Sequence, residues 1–118
     1  RTWSATPTKT KKLEGFAASK GVREGKARVI REISRLAEVQ EGEILVCPGT
    51  DPAWTPLFLV AGGLVMEVGG LMTHGSVVAR EYGIPAVVGV HQATSRLHSG
   101  DRIRVDGRSG LIEVISGN

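Results

Sequence analysis

Cysteine is nearly absent from this chain: Cys47 stands alone in 118 residues. That excludes a disulfide framework and a cysteine-based zinc cluster, and it makes a reduced, cytoplasmic setting the default. Aromatic residues are scarce too, with two Trp, two Phe and one Tyr. A formal net charge of only +3, with Lys9, Lys11 and Lys12 gathered near the start and few rings for stacking, leaves no case for a nucleic-acid partner. Long apolar runs are also missing. Leu57 to Met66 is about half the roughly 20 residues of a membrane helix, and Gly62-Gly63 interrupts it. No membrane span or secretory leader is therefore expected. The chain opens Arg1-Thr2-Trp3 without a methionine, as expected of a piece of a longer protein.

Glycine is what the chain has in excess. Its sixteen glycines are about twice the usual share of about 7%. A charged fraction of 23% beside 41% apolar residues suits a folded domain and argues against wholesale disorder. The length bounds the chain to one domain, or one domain with tails.

Residues 1–12 lack any apolar period and are expected to be a linker or tail, leaving 13–116 as the domain. Short β-like pieces run from Leu13 to about Leu36, the clearest at Ala27-Arg28-Val29-Ile30. Ile44-Leu45-Val46-Cys47 follows a Glu41-Gly42-Glu43 turn and is too brief for a helix, so a buried strand is expected. Thr50-Asp51-Pro52 carries helix-start signals, with Thr50 or Asp51 as N-cap. Apolar positions 54, 57, 58 and 61 continue that helix to Gly62-Gly63. Leu64-Val65-Met66 is a further strand. Val77, Val78 and Tyr82 predict a helix from His74 or Gly75 to Gly83, and Ala86-Val87-Val88 another strand. Residues 101–105 and 111–115 predict a terminal hairpin around Asp106-Gly107. The sum is a compact α/β domain of short strands, two main helices and a C-terminal β-hairpin.

The segment with the sharpest chemistry is Gly69-Gly70-Leu71-Met72-Thr73-His74-Gly75-Ser76, between a strand and a helix. Two glycines permit a tight turn. His74 then falls at the helix start, where unpaired N–H groups attract anions. A neutral imidazole nitrogen is a nucleophile, and a phosphoryl group placed on it would meet those N–H groups. Thr73 and Ser76 hydroxyls are further candidate donors. The competing role for His74 is to cap the helix and hydrogen-bond the core.

Thr50 to Phe58, followed by GLVMEVGGLMTHGSVVAREYGIPAVVGV from Gly63 to Val90, closely resembles the mobile phosphohistidine domain of the phosphoenolpyruvate-utilising enzymes. The resemblance covers about residues 13–115 and is most specific at 63–90. It implies a swivelling β/β/α unit in which His74 takes a phosphoryl group at one active site and delivers it at another. In the phosphoenolpyruvate synthase and rifamycin phosphotransferase branches, to which the Leu-Met-Thr-His-Gly wording is most similar, the donor is ATP. It is bound with Mg²⁺ by a separate ATP-grasp domain, and an acceptor-binding domain completes the enzyme. Arg80 matches an arginine of the family signature, and either holds the phosphate or pairs with Glu81 or another helix residue. The alternatives are a carrier in a phosphoenolpyruvate-dependent relay and a non-catalytic swivelling docking module.

Departures from the family pattern carry expectations of their own. Met72 stands where many members have Thr, Val68 and Leu71 where they have arginine, and Gly75 where they have a small Ala, Ser or Thr. Thr73 is the candidate substitute for the lost Thr donor. The apolar replacements either pack under the turn or form a collar suited to docking beside an apolar acceptor. Thr50 is a candidate to approach the phosphate from the facing loop, while Asp51 and Trp54 are expected to cap and pack. Glu67 is a candidate to tune the imidazole. Gly21-x-x-x-Gly25-Lys26-Ala27 is not a phosphate loop, because its spacing is short and a strand follows. His91, His98 and Asp101 have no metal-ligand spacing, and no metal site is expected.

Overall fold

The computed structural model describes residues 11–116. Strands β1 (Lys11–Glu14) and β2 (Phe16–Ser19) are joined by Gly15 alone, and β3 (Val22–Val29) follows. A 3-10 helix at Ile33–Glu38 leads to β4 (Ile44–Cys47), and a second at Pro52–Leu59 leads to β5 (Gly63–Met66). Then come α1 (His74–Tyr82), β6 (Ala86–Val88), α2 (Ala93–Arg96), β7 (Arg102–Asp106) and β8 (Leu111–Ser116).

The strand order is β1-β8-β7-β3-β4-β5-β6-β2. Strands β3 to β6 run parallel, and the remaining pairs are antiparallel. Because β1 and β2 are one stretch of chain bent at Gly15, the two ends of this order come together and the sheet closes on itself. Between its two strand layers lie Leu13, Ile44, Val46, Val65, Val87, Leu97, Ile103 and Ile112. The outer face of the parallel strands (Leu45, Cys47, Leu64, Met66 and Val88) packs instead under Trp54, Leu57, Phe58 and Ala79 of the helical layer. This is the expected β/β/α layering.

Burial explains which strands were legible. Strands β4, β5 and β6 are covered on both faces, so they appear as short unbroken apolar runs. In β7, Ile103 and Val105 point inward while Arg102 and Arg104 face water, and those arginines pair with Glu24 and Glu113 on neighbouring strands.

Four local expectations need correction. Lys11 and Lys12 were placed in a tail but open β1, opposite Val114 and Glu113; only Leu13 of that strand turns inward, too little alternation to show a period. The rest of the expected tail lies outside the described residues. The segment from Pro52 is a 3-10 rather than an α-helix, capped by Asp51, which accepts from the Ala53 N–H at 2.9 Å. Pro56 inside it has no N–H to donate, which defeats the α ladder. Residues 33–38 form a 3-10 turn, not a β-like piece; Ile33 and Leu36 have its three-residue spacing. Helix α2 went unforeseen because four residues are too few to display a period.

Arg28 on β3 holds the turn before β4 through a bidentate pair with Glu43 (Nε–Oε1 3.0 Å, Nη2–Oε2 2.9 Å). Burial opposes ionisation of Glu43, but hydrogen bonds from Arg28 and the Gln40 N–H outweigh it and hold the carboxyl below its ordinary 4.5. A depressed carboxyl contributes its stabilisation above the unfolded value and loses it as pH falls through the folded one. Glu43→Gln is expected to cost about 1–2 kcal/mol at pH 7, discounted for the partly open Arg28. In urea titrations the gap from wild type should narrow as pH is lowered toward 3.

Candidate functional site

After β5 the chain turns through residues 68–73 into α1. Gly70 makes the predicted turn at φ 109°, a backbone conformation that glycine adopts without strain. Its carbonyl faces the helix start and accepts from Thr73 Oγ1 at 3.0 Å and Ser76 Oγ at 2.9 Å. Arg80, one α1 turn farther on, donates Nη1 to the Ala18 carbonyl of β2 at 2.9 Å and Nη2 to the Leu71 carbonyl. Thr73, Ser76 and Arg80, all candidates for holding phosphate, are thus engaged in holding the loop. The Gly70 and Leu71 carbonyls of the turn have no ladder partner, and these side chains supply the donors. Arg80 is aimed at those two carbonyls and not at Glu81.

His74 is the first residue of the nine-residue α1, which begins without a side-chain cap. Its ring is half-buried between the helix and the facing segment. Thr50 Oγ1 lies 2.9 Å from Nδ1, and Thr55 Oγ1 lies 3.4 Å from Nε2. Phe58 stands against the ring in a T-shaped contact, with centroids 6.2 Å apart. The Thr50 hydroxyl also points its donor at Met66 Sδ, 3.9 Å away. A hydroxyl has one proton, so a Thr50 that donates to sulfur accepts from an Nδ1–H. That tautomer leaves the lone pair on Nε2.

Gly75 is required by the same contact. A Cβ there would sit 2.6 Å from Met66 Sδ and 2.8 Å from Thr50 Oγ1. Since real Cβ atoms do not come so near, the glycine is what lets Thr50 reach the imidazole. Thr50 was expected to approach a phosphate from the facing loop and lies instead against Nδ1; Thr55, Phe58 and Met66 were not anticipated. Thr55 and Phe58 share the Thr50–Phe58 segment, but no helical period relates positions 50, 55 and 58 to a face opposite His74.

The other candidates are occupied elsewhere. Glu67 accepts from the Thr94 N–H at 2.8 Å and the Thr94 hydroxyl at 2.6 Å, so it anchors α2 rather than the imidazole. Burial pushes the Cys47 thiol up to about 12, with the Glu67 charge adding to the effect, which leaves it protonated and inert. Asp101 Oδ2 accepts from the His98 backbone N–H at 2.9 Å. Among the described residues no group of three or more His, Cys, Asp or Glu can hold a metal ion. Gly25 and Lys26 lie inside β3, where no phosphate loop can form.

The site is therefore a histidine at an open helix N-terminus, with Nδ1 held closely by the Thr50 hydroxyl and Nε2 in a longer contact with that of Thr55. From Val68 to Ala79 the sequence carries no Asp, Glu, Lys or Arg. Residues 39–110 match the family of the PEP-utilising enzyme, mobile domain. The chain belongs to this family. The mobile domain is 58% identical over 104 residues to a rifampicin phosphotransferase of Streptomyces sviceus, which covers 88% of this chain and 12% of that protein. Over 100 residues it is 41% identical to a probable phosphoenolpyruvate synthase of Pyrococcus abyssi, covering 85% of this chain and 12% of that one. Its fold is similar to the solution structure of Enzyme I (nEIt), with a TM-score of 0.58 at 32% identity over 67% of this chain and 33% of that chain. The mobile domain thus spans 12% of the length of these curated relatives.

Proposed function

We propose that this domain, residues 13–116 with β1 extending back to Lys11, is the phosphoryl carrier of a multidomain, ATP-dependent dikinase-type phosphotransferase, and that His74 Nε2 carries the group. The single observation that carries this reading is the 2.9 Å contact between Thr50 Oγ1 and His74 Nδ1; with the Thr50 proton given to Met66 Sδ, Nδ1 donates and the lone pair lies on Nε2. Thr50 holds the tautomer and the ring's orientation. Nε2 attacks phosphorus, a P–O bond of the donor breaks, and the departing oxygen keeps its electron pair. In the return step an acceptor oxygen attacks phosphorus and the P–N pair goes back to Nε2. Thr55 Oγ1, 3.4 Å from Nε2, and the first N–H groups of α1 donate to phosphoryl oxygens in this reading.

The donor proposed is ATP with Mg²⁺ on an ATP-grasp domain of the same enzyme. Its β-phosphoryl group goes to His74 with AMP as the leaving group, and one water cleaves the β–γ P–O bond, taking the γ-phosphoryl group as inorganic phosphate. The acceptor sits on a further domain, and the parent is of the phosphoenolpyruvate synthase or rifamycin phosphotransferase kind. The match to proteins bearing those names supports this. The loop-like glycine pattern at residues 21–27 lies largely in β3, and by itself the domain is not expected to turn over. No helix among the described residues is long and apolar enough to cross a membrane, and the proposed setting is the cytoplasm.

In the intact enzyme, Thr50→Val should slow phosphorylation of His74 by about 10- to 100-fold, the worth of one hydrogen bond to a developing charge. Thr55→Val should slow it by about tenfold, since its contact is longer. Rapid-quench labelling with β-³²P-ATP measures both. Wild-type rates in both variants would contradict the assigned roles, and label from phosphoenolpyruvate but not from ATP would favour a relay.

A further inference from the structure

The loop that presents His74 has an apolar rim. Met72 is 83% exposed, Val68 50% and Leu71 49%, so these side chains do not pack under the turn. Phe16 of β2, 62% exposed, extends the rim: its ring edge would come within 3.7 Å of a Cβ at Gly69 and 2.8 Å of one at Gly89. Four exposed apolar side chains thus lie on, or against, one short loop. A soluble surface seldom gathers them without a partner to cover them.

The charges around this rim say what kind of partner fits. A phosphoryl group on Nε2 brings about two negative charges. The loop and first helical turn supply hydroxyl and N–H donors but no fixed cation, for residues 68–79 hold no Lys or Arg and Arg80 is committed to the Ala18 and Leu71 carbonyls. The surface that receives the phosphohistidine must itself provide the cationic centre, inside an apolar margin that meets the rim. Since the chain spans 12% of the length of its relatives, such a surface belongs to the rest of the same polypeptide.

Resting on the carrier reading above, we infer that Val68, Leu71, Met72 and Phe16 form a docking collar for the acceptor-binding domain of the parent enzyme, sealing the phosphohistidine from water during transfer. The acceptor end is indicated because it is there that the P–N bond breaks and water competes with the acceptor oxygen. Closing an apolar margin around the bond removes that competitor.

The test uses the intact parent enzyme with Leu71→Glu/Met72→Glu. The control is Val22→Glu, 59% exposed at the start of β3. That strand runs parallel to β4, and β4 to β5, so Val22 lies at the end of the sheet opposite His74. Buried like charges cost several kcal/mol at an interface. Acceptor turnover should therefore fall at least about 100-fold, while label from β-³²P-ATP still reaches His74 and is released as inorganic phosphate. The apolar exchange Leu71→Met/Met72→Leu should keep turnover within about threefold, because volume-conserving swaps are tolerated. Turnover equal to that of the Val22 control would overturn the collar. So would simultaneous loss of labelling and turnover, which would put the rim at the donor end. Failure of the wild-type enzyme to label His74 would instead remove the carrier reading beneath it.

Discussion

With His74→Ala, the intact enzyme is expected to lose phosphoryl carriage altogether, a fall of at least about 10⁴-fold in turnover. No neighbouring group can take over. The hydroxyls of Thr50 and Thr55 have no base beside them except the imidazole that would be gone. Cys47 is the other conceivable nucleophile, but it is fully buried and its thiol is pushed up to about 12. The fold should survive. His74 is half-buried at the first position of α1, and its loss removes one good hydrogen bond, one long one and the edge contact with Phe58. Together these are worth about 1–2 kcal/mol, partly offset by the helix propensity of alanine. Labelling and thermal melts on the same sample should therefore separate, with label absent and the melting transition little changed.

Gly107→Ala should do the reverse and destabilise the fold strongly. The glycine sits in the hairpin turn between β7 and β8, and its N–H donates to the Gly21 carbonyl at 2.7 Å. A Cβ added there would lie 1.8 Å from the Ser19 carbonyl oxygen and 3.0 Å from the Ala86 nitrogen. Both obstacles are backbone, one in β2 and one in β6, so no side chain can rotate away. Moving β2 would also disturb the Ala18 carbonyl that receives Arg80, and with it the loop before His74. The expected cost is about 3–5 kcal/mol, a large part of the 5–15 kcal/mol typical of a domain. At about 4–8 °C per kcal/mol, the melting temperature should drop by at least about 12 °C. A drop of less than about 3 °C would show that the turn has more room than its geometry indicates.

These two positions also mark what the sequence could and could not reveal. The central strands, α1 and the terminal hairpin were legible because short apolar runs end at Gly or Pro, and because Gly83 closes α1 in the left-handed conformation. His74 stood out by its place after a Gly-Gly turn, and Thr50 by the segment it opens. Thr73, Ser76 and Arg80 were found in the right place but given a different task. Whether a hydroxyl beside a turn faces the ligand or the turn's own carbonyl depends on dihedrals that spacing does not encode. Thr55 and Phe58 reach His74 only through the packing of a 3-10 helix over Met66 and Leu64, a contact between distant segments. Pro56 was the one local sign that this helix would not be α. The clash at Gly107 was out of reach as well, since it depends on the closure of the sheet that brings β2 and β6 against the hairpin.

The central claim is that one nitrogen of one histidine carries the phosphoryl group. The most direct measurement is long-range ¹H–¹⁵N NMR of the intact enzyme, ¹⁵N-labelled at histidine and phosphorylated with ATP under conditions without acceptor. A single phosphohistidine resonance pattern, assigned to His74 and substituted at Nε2 with Nδ1 protonated, is the predicted result. Phosphate at Nδ1, or on any residue other than His74, would contradict it.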